Sequence, residues 1–247
     1  MTKLRSVRAD RFVLVLELVE TADQEYAACG RTSSPRGPPT SWPAPRGETG
    51  GVTCVVGLHS RTGTAEAVAL VVSGTTALSV VFCGRWSLDL IEDRAERQVY
   101  HAVADVPLAE AEATVGRTID AVTGIAVRHL RCIIELLGTV DAVGVIVGDF
   151  AVPDSLASIL AVHALMHAAE GALYRDALLD AAAACGVPGI GVSRNQATDW
   201  LGGEYANAVA AVGSVAGRPW RKDHKLATVA AIVAARSTGR AVGSVLS

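Results

Sequence analysis

Three groups of side chains in this sequence have types and spacings suited to chemistry. Asp149 closes the apolar run Ala142–Val147, and Asp223 and His224 open a late stretch of small apolar residues. Carboxylates in such places can hold Mg²⁺, which prefers oxygen ligands, and a neighbouring imidazole can carry a proton. The plainer roles are a loop residue or helix N-cap for Asp149 and a favourable charge in a first helical turn for Asp223. The second group is His163, His167 and Glu170, which at i, i+4 and i+7 share one helix face. Two histidines so spaced can bind zinc, although neither a His-Glu-x-x-His motif nor a nearby cysteine accompanies them. A polar face packed beside a sheet, or an oligomer contact, uses the same residues without a metal. The third group is basic: Arg218, Trp220, Arg221, Lys222 and Lys225 lie within eight positions. They can clamp a phosphate backbone while the indole stacks on a base, or form the solvated end of a helix.

The elements that would position these groups follow from hydrophobic period. Thr53–Leu58, Ala65–Val72 and Leu78–Trp86 are short apolar runs rich in β-branched residues, with turn residues at 60–64 and 73–76. They predict a three-stranded antiparallel meander. Ser60-Arg61-Thr62-Gly63-Thr64 reads as a hairpin turn, with a phosphate-facing turn as the sharper alternative. From Pro107 to Leu137 apolar residues recur three and four apart, predicting one long amphipathic helix closed by Gly138. Ala142–Val147 is apolar throughout, as expected of a strand buried on both faces. A helix is expected over 153–185, a short strand over Val187–Ser193, a poorly defined helix over 196–215, and a last helix from Pro219 through Ala235. The order βββαβαβα implies a mixed sheet with helices on both faces.

That order, and residues 141–235 by motif, resemble the RuvC-type Holliday-junction resolvases of the ribonuclease-H-like superfamily. The resemblance rests on Gly148-Asp149-Phe150 after the buried strand, the short strand Val187–Ser193, and Trp220-Arg221-Lys222-Asp223-His224-Lys225-Leu226-Ala227 opening the last helix. It implies an α/β ribonuclease-H-like domain over 52–247 and a metal-dependent nuclease acting on branched or structured nucleic acid, with suspected Mg²⁺. In two-metal hydrolysis, carboxylates hold two ions about 4 Å apart. The resemblance brings Asp149 and Asp223 to one sheet edge for that task, with His224 as proton carrier, His59 as substitute ligand and Glu66 as replacement acid. The sequence departs from the family pattern at two places. The first strand ends Gly57-Leu58-His59 where the family has Gly-hydrophobic-Asp, and Leu226 stands three residues after Asp223 where a second acid is usual. A non-catalytic ribonuclease-H-like binding module, its metal site degenerate and its partner protein or nucleic acid, is the alternative these departures raise.

Composition bounds the rest. The chain has 247 residues, is 50% hydrophobic and 4% aromatic, and has a mean hydropathy of +0.34. It is too apolar for a disordered protein and long enough for one sizeable core. Net charge is −3; residues 217–247 carry +5 and residues 1–50 carry +1, leaving −9 on 51–216. A uniformly basic nucleic-acid coat is thereby excluded, a local basic patch is not. Residues 1–51 read as a disordered or weakly structured extension, because 31–51 hold five prolines and almost no aliphatic side chain. The five dispersed cysteines read as buried thiols of a reducing compartment. Without a signal peptide or membrane span, a cytoplasmic protein is expected. Ala-rich helices make a homodimer a reasonable expectation.

Overall fold

A computed structural model of the protein describes residues 53–73, 79–91 and 93–244. The expected extension 1–51 and the 74–76 turn lie outside the described residues. The strands are β1 (Thr53–Arg61), β2 (Thr64–Ser73), β3 (Ser79–Asp89), β4 (Ala142–Val147) and β5 (Gly189–Ser193). They form one sheet in the order β3-β2-β1-β4-β5. β1–β2 and β2–β3 pair antiparallel, and β1–β4 and β4–β5 pair parallel. The first turn is a two-residue hairpin with Arg61 opposite Thr64, and Gly63 supplies the positive φ of 79° it requires. Gly63 carbonyl accepts from Leu90 N at 2.9 Å, and the Arg97 side chain lies against Gly63. The 60–64 segment is thus a packed hairpin turn rather than a phosphate cradle.

After a 3₁₀ turn (Arg94–Gln98), the helices are α1 (Val99–Ala102), α2 (Leu108–Leu137), α3 (Leu156–Leu160), α4 (His163–Ala184), α5 (Arg194–Gly202), α6 (Ala206–Ala216) and α7 (Lys222–Ser244). The 3₁₀ turn and α1 have no periodic signal in the sequence. The single helix expected over 153–185 is two: Ser155 caps α3 by accepting from Ser158 N, and Val162 is extended (φ −134°, ψ 112°) before α4 starts. The 196–215 stretch is likewise two helices. The last helix begins at Lys222, three residues after the expected Pro219, because its amino end is closed at Arg221, whose N–H donates to His224 Nδ1.

The two faces of the sheet bury different layers. Val56, Leu58, Val143 and Val145 face α2 and α4, whereas Val55, Ala142 and Ile146 face α5, α6 and α7. Strands buried on both sides are apolar throughout for this reason. Helix α7 lies flush on β1 and β4 because the two strands offer glycines where it crosses. A methyl group at Gly57 would overlap the carbonyl of Ala227, and one at Gly144 the carbonyl of Ala230. The helix answers with Ala227, Ala230 and Ala231, all fully buried. The start of β1 is pinned to β4 by Asp141, whose carboxylate accepts from Cys54 N at 2.6 Å while its N–H donates to Cys54 O at 2.7 Å. Cys54, Cys83 and Cys185 are free thiols, and burial pushes the first two up to about 11 and about 12. Cys54 and Cys83 stay protonated and unreactive, whereas Cys132 is disulfide-bonded, which corrects the expectation of free thiols throughout.

Because the groups that would clash at Gly144 are backbone, they cannot rotate away. Gly144→Ala is expected to cost about 3 kcal/mol, measured by urea unfolding. Gly116→Ala, mid-helix in α2 with open space at its Cβ, is expected to be neutral or to stabilise by up to about 1 kcal/mol.

Candidate functional site at the carboxyl ends of the central strands

The flush packing of α7 carries its first turn to the end of β1. His59, on the same strand face as Val55 and Gly57, is 3% exposed there, and Asp223 and His224 are 6% and 4% exposed. Arg61 Nη2 lies 2.6 Å from Asp223 Oδ2, and His59 Nδ1 lies 3.5 Å from Oδ1. The latter is no hydrogen bond: His59 Nδ1 is buried without a partner. Nor is it an ion pair, since His59 is held neutral, its pKa lowered to about 4. Burial is the largest cause. Asp223 opposes it, and the cations Arg194, Arg61 and Lys222 add to it.

His224 has a structural duty that the sequence reading did not assign. Its Nδ1 accepts from Arg221 N at 3.0 Å. It thereby takes the part of the third-position acid in a capping box. The proton therefore sits on Nε2, which donates to Glu66 Oε2 at 3.1 Å. The same oxygen accepts from Ser87 Oγ at 2.7 Å. The hairpin register that sets His59 opposite Glu66 brings this acid into place. The loop into α7 is held by Arg85 of β3, whose guanidinium donates to the carbonyls of Gly217, Arg218 and Pro219. Trp220 stacks on His224, with centroids 5.5 Å apart and planes at 17°. One indole face is thus already covered, while Arg218, Arg221 and Lys222 are exposed and Lys225 is half-buried.

Asp149 is engaged elsewhere. It follows β4 on an exposed loop, where its Oδ2 accepts from Asn195 N at 3.1 Å and its Oδ1 accepts from Ser193 Oγ. Ser193 caps α5 by accepting from Gln196 N at 3.3 Å. Asp149 thus serves the amino end of α5, the capping role open to it from sequence. Among the described residues, the one group of three or more His, Cys, Asp or Glu side chains with converging ligand atoms includes none of Asp149, Asp223, Glu66 or His59.

These residues do not fit a Mg²⁺ pair. Mg²⁺ demands oxygen donors in near-octahedral array. Here Asp223 Oδ2 is bound by Arg61, Glu66 Oε2 by Ser87 and His224, and both oxygens of Asp149 by Ser193 and Asn195, while beside Asp223 Oδ1 lies not an oxygen but the buried, unpartnered nitrogen of His59. No chemical step through Mg²⁺ is derived from this geometry. The residues that sequence reasoning missed are Arg61, Ser87, Arg85 and Arg194. Arg61 carried a weak signal as the cation closing β1, and Arg194 as the residue after the fifth strand. Ser87 and Arg85 become visible only through the β2–β3 register.

The strand order β3-β2-β1-β4-β5, antiparallel up to β1 and parallel beyond it, with helices on both faces, defines a ribonuclease-H-like α/β fold. Among solved structures the chain is similar to RuvC of Thermus thermophilus, with 16% identity, 78% of this chain and 97% of that chain covered, and a TM-score of 0.42. It is also similar to T. thermophilus RuvC in complex with a Holliday junction substrate, with 18% identity, 76% and 95% coverage, and a TM-score of 0.44. No protein-family model and no curated protein matches the sequence. Among the described residues, no helix is long and apolar enough to cross a membrane.

The buried imidazole makes stability depend on pH. His59 titrates near 4 in the folded chain and near 6.5 when unfolded, so the unfolded state binds the extra proton between those values. Stability is full above about pH 6.5 and falls as pH drops toward 4, by about 3 kcal/mol from this group. In urea unfolding at pH 7 and pH 4.5, His59→Gln is expected to lose this part of the acid sensitivity.

Proposed function

We propose that this chain is a ribonuclease-H-like module that binds structured nucleic acid at the carboxyl ends of its central strands. The observation that carries the reading is the grouping of cations at the end of β1: Arg61 pairs with Asp223 in the first turn of α7, Lys222 precedes Asp223 there, and the charges of Arg61, Arg194 and Lys222 all act on the buried imidazole of His59. All three are exposed, and they come from β1, α5 and α7. Arg218 and Arg221 extend the rim along the loop into α7. Cations brought to one sheet edge by separate elements suit a ligand with several anionic groups, as a folded phosphodiester backbone has. Trp220 serves this reading as a support that sets the Arg221–His224 turn. The body of the chain, −9 over 51–216, restricts binding to this rim and disfavours a general coat.

Metal-dependent cleavage of such a ligand is the second reading, and one observation favours it. Arg61, whose side chain is 65% exposed, is the ion-pair partner of Asp223. An arriving phosphate competes for that guanidinium and frees a carboxylate beside His59 and Glu66. The binding reading does not need this step.

Mobility-shift titration with a four-way DNA junction tests the proposal. Binding is expected to weaken steeply with salt, and Arg194→Ala and Lys222→Ala are each expected to reduce the log–log salt slope by about 1. Absence of binding at low salt, or salt-insensitive binding, overturns it. The same samples incubated with Mg²⁺ or Mn²⁺ separate the readings. Strand scission lost in Asp223→Asn establishes the nuclease, and intact junction bound by the protein leaves the module non-catalytic.

A further inference from the structure

A second cluster lies on the opposite helical layer, against α4. His163 and His167 sit on the first two turns of α4, and the chain returns His101 to them on the short helix α1. One ring nitrogen from each lies within 4.8 Å of the other two. The ring centroids are 4.4–5.0 Å apart, and no pair is stacked: the planes cross at 46°, 83° and 90°. Beneath them Glu170, 2% exposed, places Oε1 2.6 Å from His101 Nδ1 and Oε2 3.7 Å from His167 Nδ1. Tyr174, one turn further along α4, donates to Arg97 O at 2.9 Å and holds the 3₁₀ turn before α1 against α4.

We infer that His101, His163 and His167 form a binding site for a divalent first-row transition cation of the Zn²⁺ class, with Glu170 as the carboxylate that orients His101. The His101–Glu170 bond puts the proton on Nδ1 and leaves Nε2 as the ligating nitrogen. That nitrogen is buried and without a hydrogen-bond partner, an arrangement that buried polar atoms rarely keep unless something else satisfies them. A carboxylate behind a ligating imidazole is the usual means of fixing its tautomer and raising its basicity. Three imidazoles and no carboxylate oxygen in the inner set select Zn²⁺, Ni²⁺, Co²⁺ or Cu²⁺ over Mg²⁺. Tetrahedral coordination at about 2.05 Å asks for nitrogens about 3.3 Å apart. The exposed rings of His163 and His167 reach that spacing by side-chain rotation, as their solvent-facing positions permit. Three protein ligands on an exposed face leave a fourth position open to water or an anion.

The site was half visible in the sequence, as the i, i+4 histidines with Glu170. His101 completes it from 62 positions before His163, on a helix of one turn.

The test uses untagged full-length protein stripped with chelator, titrated with Co²⁺ and Zn²⁺ and followed by visible absorption and elemental analysis. One equivalent per chain is expected, with Co²⁺ giving d–d bands displaced by Zn²⁺ and unaffected by excess Mg²⁺. His163→Ala and His167→Ala, at exposed positions, are expected to keep the circular dichroism of the parent and to lose affinity about 100-fold. Glu170→Gln is expected to lose about 10–100-fold. Failure to bind a stoichiometric ion overturns the inference, as does equal binding by the His163→Ala/His167→Ala double variant.

Discussion

The close approach of α7 to β1 and β4 governs everything built at the strand ends. Two glycines, Gly57 and Gly144, face a helix whose contact residues are alanines, so backbone meets backbone with no intervening side chain. Dispersion between such closely apposed surfaces is strong, and the arrangement has no slack. It fixes the axial position of α7, and with it the height at which the Lys222–His224 turn meets the end of β1. A bulkier residue at either glycine would lift the helix and separate Asp223 from His59 and His224 from Glu66.

The strand ends show how one local network can consume the groups from which a metal centre would be built. In water the carboxylates of Asp223 and Glu66 would be free ligands. Withdrawn from water, each needs compensation, and the chain supplies it internally: an arginine for Asp223, a hydroxyl and an imidazole N–H for Glu66. His59 stays neutral because desolvation outweighs the attraction of Asp223, with three cations reinforcing the effect. The outcome is a cationic rim over a polar floor, the arrangement on which the proposed binding of a phosphodiester backbone rests. Asp149, one element away, spends its oxygens on the amino end of α5, where the unpaired N–H groups of a helix make a ready partner.

The two polar clusters sit on opposite sides of the sheet and differ in how they are satisfied. The floor beneath the basic rim is nearly complete, with one nitrogen of His59 unpaired. The histidine cluster around Glu170 presents one buried unpaired nitrogen beside two exposed rings. The first is the basis of the proposed anion binding at its rim, the second of the inferred transition-cation site at its centre. This division follows from where the carboxylates are: Asp223 paired with Arg61 and Glu66 with Ser87 and His224 in one place, and Glu170 set behind His101 in the other.

Much of the fold was legible in the residues themselves. Ala142–Val147 is the strand its unbroken apolar run predicts, with identical limits. The long helix ending at Gly138 and the three-stranded meander appear nearly where expected, since period and turn residues act over a few positions. Boundaries failed where the determinant was an extended residue, as at Val162, or a cap, as at Arg221 before Lys222. The partners of the charged residues were beyond reach of such reading. Glu66 and His224 are separated by 158 positions and His101 and Glu170 by 69, and neither spacing leaves a periodic trace. Sequence by itself thus determined which segments become strands and helices and which faces are apolar, because those depend on local backbone preference and hydrophobic period. Only the tertiary structure decided that Asp223 meets Arg61, that Asp149 caps a helix, and that three histidines share one point, because these depend on strand register and on how closely one helix settles onto two glycines.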